Sequence, residues 1–339
     1  MTAVRELRPV PRRHNESMPD ESIQGRVEID PELRAALAVI GGVFPPTITP
    51  DLIGFMRASY ASPPREELLR DRRVQVEDLT FPGFDGYVLA ASVIRPVTGL
   101  RGPAVLLFHS GGMMFGDRFS GIDTALGWVE RLGVTVVTVE YRLAPEHRHP
   151  VPFEDCYAAL EWVAHSSKEL GLDSRRLVVA GASAGGGLAA GAALAARDRG
   201  GPPLRGQLLD YPMLDDRGRT ASTRAFDGVG VWDRVSNETG WAALLGESAR
   251  GPDVSPYAAP ARATDLRDLP PAFIDVGTAE IFRDEAVGYA RGLWAAGVDA
   301  ELHVWPGAFH ACDIFAPHTR IARRMIVTRE DWLRRTLAD

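Results

Sequence analysis

From Ala104 onward, short unbroken apolar runs alternate with longer stretches of helical length. Ala104-Val105-Leu106-Leu107-Phe108 is the first run, and residues 134–139, 177–181, 206–211, 272–276 and 300–305 are the other strand-like stretches. A run without polar interruption is what a strand buried on both faces requires. Between the runs lie segments such as Ala184 to Arg199, rich in small residues and then in alanine and leucine. This alternation predicts an α/β fold, a mostly parallel central sheet with helices on both faces. Val74 to Thr80 and Tyr87 to Ile94 are also strand-like, joined by a turn over Gly83 to Gly86. Ahead of them, residues 31–41 and 51–72 read as helices, with Asp30-Pro31 and Pro50-Asp51 as start signals. Residues 1–25, rich in proline and charge, read as an extended arm. Between 212 and 268 the rhythm breaks. Trp232 to Leu245 is a helical pattern there, framed by glycine- and proline-rich loops.

One junction carries candidate chemistry. Leu177-Val178-Val179-Ala180 runs into Gly181-Ala182-Ser183-Ala184-Gly185, and a helix follows. Strand, tight turn and helix are the context in which G-x-S-x-G forms a nucleophile elbow. The glycines leave room for the sharp turn, and the helix aims its N-terminal amides at any anion formed beside Ser183. The plainer alternative is a Gly/Ala-rich helix start with serine as its N-cap. A serine hydroxyl needs a base, an acid to orient that base, and donors for an oxyanion. Three histidines follow Ser183. His303 sits inside the alternating strand pattern 301–305, and His318 follows Pro317 ahead of a basic helix. His310 lies in the turn-rich Pro306-Gly307-Ala308-Phe309-His310 just past a strand, where functional residues of open α/β sheets collect, and is favoured as the base. For the acid, Glu280 and Asp284 both follow the strand Ala272 to Gly277. Glu280 is nearer the strand end, and Asp284 also suits the first turn of a helix. After the first apolar run comes His109-Ser110-Gly111-Gly112-Met113, whose adjacent glycines allow backbone N–H groups to face a substrate oxygen.

These segments together resemble the hormone-sensitive-lipase-like branch of the α/β-hydrolase esterases. HSGGM stands where that family has H-G-G-G, YRLAPEHRHP (141–150) matches its segment after the next strand, and GASAGG (181–186) is similar to G-D-S-A-G-G. DVGTAEIFRDE (275–285) and GAFHACDIF (307–315) resemble its acid and histidine segments. The resemblance covers roughly residues 75–335 and implies an α/β-hydrolase fold with a helical cap. It implies a serine carboxylesterase with Ser183, Glu280 and His310 as catalytic triad and the Gly111, Gly112 and Ala184 amides as oxyanion hole. His109 would then order the loop. Glu280 takes the position of the family's aspartate, Ser110 replaces a loop glycine, and Ala182 replaces the elbow aspartate. The expected organisation is an N-terminal arm and cap helices over 1–72, then a catalytic domain over 73–339 in which 212–268 includes a second cap-forming insertion. Met113, Met114, Phe115, Trp232 and Trp241 are expected to line a short apolar pocket for a small-molecule ester. The same triad would serve an acyltransferase, lactonase, deacetylase or amide hydrolase, and a non-catalytic binding protein on the same fold is the remaining alternative.

Composition narrows the picture. The net charge of −7 argues against general nucleic-acid affinity, and the basic residues, arginines apart from Lys168, are scattered. No apolar run is long enough to span a membrane, and MTAVRELRPVPRRHNESMPDES lacks the apolar core of a secretory signal, so a cytoplasmic location is expected. Cys156 and Cys312 are too few for a disulfide framework, and Cys156 falls in a helical pattern as a small buried hydrophobe. His147 and His149 lack a third ligand in the pattern, so no metal or cofactor is implied. A homodimer is left open.

Overall fold

The apolar runs pair in the order the alternation requires. The structure is a computed structural model and describes residues 27–41, 44–97 and 102–338. The arm expected over residues 1–25 lies outside the described residues. Eight strands are described: β1 (Val74–Pro82), β2 (Val88–Pro96), β3 (Gly102–Phe108), β4 (Thr135–Val139), β5 (Leu172–Ala182), β6 (Gly206–Asp210), β7 (Ala272–Gly277) and β8 (Ala300–Trp305). They form one sheet in the order β1-β2-β4-β3-β5-β6-β7-β8. β1 and β2 form an antiparallel pair and β2 runs antiparallel to β4; the pairings from β4 through β8 are parallel. The described helices are α1 (Pro31–Ile40), α2 (Ile53–Ser59), α3 (Arg65–Leu68), α4 (Asp123–Leu132), α5 (Val151–His165), α6 (Ala184–Asp198), α7 (Ala221–Ala225), α8 (Arg234–Leu245), α9 (Arg283–Ala295), α10 (Cys312–Phe315) and α11 (Arg320–Thr336).

The sheet divides the core in two. On one face Trp128 of α4 and Trp332 and Leu333 of α11 cover Val105, Val136, Val178 and Phe273. On the other, α5, α6 and α9 cover Leu106, Val137, Val179 and Ile274. Because both faces are covered, the central strands carry no polar alternation. α6 is buried from Ala184 through Ala196. Its small residues are a packing requirement: a Cβ on Gly187 would stand 2.2 Å from the Met213 carbonyl oxygen, and one on Gly191 would stand 2.4 Å from that of Tyr257.

The helix expected over 51–72 is not continuous. It breaks between α2 and α3, where Ser62-Pro63-Pro64 intervenes; proline removes backbone donors and biases the preceding residue away from helix. The strand expected over 177–181 begins earlier, at Leu172. The N-terminal stretch meets the 226–245 region directly. Thr47 Oγ1 donates to Asp233 Oδ2 at 2.6 Å, and the Ile48 N–H donates to Ser236 Oγ at 2.8 Å.

Under the C-terminal edge of the sheet lies a buried ion cluster. Arg329 of α11 is fully buried. Its Nε and Nη2 donate to Asp275 at 2.9 and 3.0 Å, its Nη1 donates to Asp313, and its Nε lies 3.0 Å from Asp210 Oδ1. One cation therefore ties the ends of β6 and β7 to α10. No helix among the described residues is long and apolar enough to cross a membrane. Replacing Arg329 with alanine would leave buried carboxylates uncompensated, and the expected loss is about 3–5 kcal/mol of unfolding free energy, read from urea titration.

Candidate active site

The strand-to-helix turn after β5 places Ser183 at φ 56 and ψ −117, a sparsely populated backbone conformation for a side-chain-bearing residue. Surrounding contacts hold it there. The Ser183 N–H donates to the Asp210 carbonyl at 2.9 Å, and the Ser183 carbonyl accepts from Gly187 at 3.1 Å and Met213 at 2.9 Å. Both flanking glycines are sterically required. A Cβ on Gly181 would stand 2.2 Å from the Gly185 carbonyl oxygen, and one on Gly185 would stand 2.0 Å from that of Phe108. Ser183 does precede α6 as its N-cap, but its hydroxyl makes no capping bond. Instead Ser183 Oγ lies 3.0 Å from His310 Nε2, and His310 Nδ1 lies 2.6 Å from Glu280 Oε2.

All three side chains are buried, at 3, 5 and 2% exposure for Ser183, His310 and Glu280, so water does not compete for these bonds. A carboxylate only accepts, so His310 Nδ1 carries the proton and Nε2 presents its lone pair to Ser183. The other Glu280 oxygen accepts from the Gly277 N–H at 2.9 Å, which fixes the carboxylate against the end of β7. The His310 ring is caged edge-on by Tyr211 and Phe282, with centroids at 4.9 and 5.1 Å. Asp284 is engaged elsewhere. It accepts from the Ser222 N–H and Arg283 Nε, each at 2.7 Å. Burial alone would raise its carboxyl, but these bonds outweigh it and hold the group below the ordinary range. His303 is half-buried in β8 beside Glu301, His318 is exposed, and Cys312 is buried with its Sγ 3.5 Å from Met325 Sδ. Among the described residues no group of three or more His, Cys, Asp or Glu could hold a metal ion.

The loop after β3 faces Ser183. Gly111 and Gly112 have φ of 115 and 61. A Cβ would stand 2.0 Å from the Phe115 carbonyl at Gly111 and 2.2 Å from the Trp232 ring at Gly112. Ala184 is the first residue of α6, where a helix N–H has no partner within the helix. The loop is braced from behind by His109, which stacks on Tyr141 at 4.1 Å with Nδ1 donating to the Ser110 carbonyl at 2.7 Å. Ser110, the residue in place of a loop glycine, shares a 2.9 Å hydrogen bond with the Tyr60 hydroxyl.

A small cavity of about 30 Å3 opens on Ser183 and His310. Phe115 and Trp232 line it as expected. Met113, Met114 and Trp241 do not; all three are buried in the hydrophobic core, the two methionines where the loop turns at Met113 (φ 61) and the Met113 carbonyl is bonded by the Ala144 N–H, and Trp241 on the buried side of α8. The remaining aromatic wall comes from Phe315, at the end of the GAFHACDIF segment, and from Phe44 and Tyr60, which no local motif marks. They reach the cavity only through the fold.

A family profile described as alpha/beta hydrolase fold matches residues 105–314. The chain belongs to the α/β-hydrolase family. Its place in the hormone-sensitive-lipase-like branch agrees with named relatives. Carboxylesterase NlhH of Mycobacterium tuberculosis (strain CDC 1551 / Oshkosh) is 37% identical over 311 residues, 87% of this chain and 92% of that protein. Esterase LipI of Mycobacterium tuberculosis (strain ATCC 25618 / H37Rv) is 40% identical over 203 residues, covering 59% of this chain and 62% of LipI. Among solved structures, a bacterial heroin esterase superposes with a TM-score of 0.84 at 38% identity, covering 92% of this chain and 98% of that one.

Burial pushes His109 below its ordinary value of 6.5, against the opposing pull of the Ser110 carbonyl. The unfolded chain protonates this histidine near pH 6.5 and the folded chain only at lower pH, so His109 subtracts stability as pH falls below about 6.5. An NMR pH titration should find the His109 ring protonating at lower pH than a free imidazole; a ring that titrates like a free imidazole would contradict the packing described.

Proposed function

We propose that this serine carboxylesterase works through a Ser183–His310–Glu280 triad and an acyl-enzyme, on esters of short acyl chains. The observation that carries the reading is the unbroken hydrogen-bond relay from Ser183 Oγ through His310 to Glu280 inside a buried, strained elbow. Ser183 Oγ attacks the ester carbonyl carbon while His310 Nε2 takes the hydroxyl proton. His310 then gives that proton to the departing alcohol, and the acyl group remains on Ser183. Water repeats the sequence and releases the acid. Glu280 holds the imidazole in the required tautomer and offsets its charge when protonated. The N–H groups of Gly111, Gly112 and Ala184 serve as oxyanion donors, where charge develops in the transition state. One more methylene in Glu280 than in aspartate is accommodated by its anchor on the Gly277 N–H. The segments before residue 73 and within 212–268 act as the cap. They supply Phe44, Tyr60 and Trp232 to the cavity wall and no member of the triad.

Two measurements test this reading. Ser183→Ala should abolish turnover of p-nitrophenyl acetate with an unchanged thermal midpoint. Glu280→Gln should lose on the order of 10⁴-fold in kcat, the scale seen when a triad acid becomes an amide. Asp284→Asn should leave the rate near the parent, because Asp284 bonds Ser222 and Arg283 and not His310. A reversal of the two acid phenotypes would move the orienting role to Asp284.

The small aromatic cavity sets the substrate range. The expected kcat/KM is highest for acyl chains of roughly two to six carbons and falls by C10, each excluded methylene forfeiting up to about 0.8 kcal/mol. Trp232→Ala should shift the optimum to longer chains, since the Trp232 ring lies against Gly112 at the cavity wall. Activity that rises through p-nitrophenyl C12 and C16 esters in the parent would contradict the short pocket.

A further inference from the structure

Behind the loop that carries Gly111 and Gly112 lies a second small cavity, about 30 Å3, lined in part by His109, Trp128, Asp210, Tyr211 and Asp313. His109 Nε2, Trp128 Nε1, the Tyr211 hydroxyl and Asp313 Oδ1 have no hydrogen-bond partner in the protein among the described residues. Each belongs to a side chain no more than 3% exposed. Asp210 Oδ1 meets Arg329 Nε at 3.0 Å, but that N–H donates to Asp275, so Asp210 Oδ1 also lacks a hydrogen bond. Leaving a buried polar atom unpaired costs about 1–3 kcal/mol, so several in one cavity would consume much of the few kcal/mol by which a domain is stable. The set mixes donors, the Trp128 N–H and Tyr211 O–H, with acceptors, His109 Nε2 and the two aspartate oxygens. An anion would face two aspartates against the single Arg329 guanidinium that also lines the cavity, and a bare cation would leave the Trp128 N–H unpaired. Water both donates and accepts, and a cavity of this size has room for about two molecules.

The chamber has neighbours on both sides. Gly121, Thr124, Asp313 and Ile314 line it and also an outer cavity of about 370 Å3 beside Arg72 and Arg131. On the inner side Ser110 lines both the chamber and the cavity that opens on Ser183 and His310. The front of that catalytic cavity is walled by Phe44, Phe115, Trp232 and Phe315; the Trp232 Nε1–H is the one polar group these four side chains carry, and an acyl chain would cover them.

We propose that the polar chamber holds ordered water and is the back route by which the hydrolytic water reaches the acyl-enzyme. Water enters past Thr124 and Ile314, rests on Asp210, Asp313, Tyr211, Trp128 and His109, and passes Ser110 to the catalytic cavity. There its oxygen attacks the acyl carbonyl carbon as His310 Nε2 takes one proton. The bond to Ser183 Oγ then breaks, Ser183 regains that proton from His310, and the carboxylic acid leaves. The inference rests on the acyl-enzyme reading given above.

The experiment is a competition between acceptors. Purified enzyme is given p-nitrophenyl acetate with benzyl alcohol, which is too large for the back neck and enters from the front. The ratio of benzyl acetate to acetate is then measured. Thr124→Leu narrows the neck from α4 and should raise the ratio about threefold or more by slowing the water step alone. Ile314→Phe narrows it from the opposite wall, keeps the test valid if the first variant does not fold, and should act alike. Thr124→Ser keeps the opening and should stay at the parental ratio. A crystal structure of the parent should show water bonded to Asp313 Oδ1 and Trp128 Nε1. An unchanged ratio in folded Thr124→Leu or Ile314→Phe, or a dry chamber in that crystal structure, would overturn the route while leaving the acyl-enzyme intact. Absence of acetylated Ser183 in acid-quenched parent would instead overturn the acyl-enzyme reading and the route with it.

Discussion

The contact on which the site depends is between two stretches of backbone. The first turn of α6 presses on the end of β3 so closely that a Cβ on Gly185 would stand 2.0 Å from the Phe108 carbonyl oxygen. That approach sets the distance between the serine turn and the loop that carries Gly111 and Gly112. Ser183 is held in its strained conformation by backbone bonds to Asp210 at the end of β6, to Met213 just past it and to Gly187 of α6. Glycine is needed here because any side chain would part the two elements. The strain at Ser183 is balanced by the helix behind it, buried from Ala184 through Ala196.

A second constraint lies beneath the sheet edge. Arg329 engages aspartates at β6, β7 and α10, elements adjacent to the serine turn, the Glu280 segment and His310. Burial pushes the Asp210 carboxyl well above its ordinary range even with Arg329 opposing it. One arginine faces three aspartates, so its single charge is shared among them. It gives the histidine segment a rigid base, at the cost of desolvating charges that an apolar core would avoid. The polar chamber on its other side follows from the same surplus of carboxylate over guanidinium.

The small cavity at Ser183 draws its aromatic wall from Phe315 of α10 and from three further parts of the chain. Phe44 and Tyr60 come from before the first strand, Phe115 from the loop after β3, and Trp232 from the stretch ahead of α8. Tyr60 reaches Ser110, and Arg57 beside it donates to the Met114 and Ala144 carbonyls at 2.8 and 3.0 Å. The N-terminal segment is therefore fastened to the loop that faces Ser183. A serine in place of a loop glycine is tolerated because its hydroxyl meets Tyr60.

The sequence by itself determined the strands of the sheet and brought Ser183 and His310 forward as candidates. Apolar runs such as 104–108 and 177–181 are legible because a strand covered on both faces cannot alternate, and the glycines around Ser183 are legible because a sharp turn admits nothing larger. The order of Ser183, Glu280 and His310 was readable for the same local reasons. Tertiary structure alone decided the rest. Glu280 and Asp284 are near neighbours with similar chemistry, and only the 2.6 Å contact to His310 Nδ1 separates them. Met113, Met114 and Trp241 have the composition of a pocket wall, yet a positive φ turns the loop at Met113, α8 holds Trp241, and all three side chains are in the hydrophobic core. Phe44, Tyr60 and Arg329 carry no motif at all. Their parts are set by contacts across 50 or more positions of chain, such as Tyr60 with Ser110 and Arg329 with Asp275, which no periodicity records because it reads only neighbours.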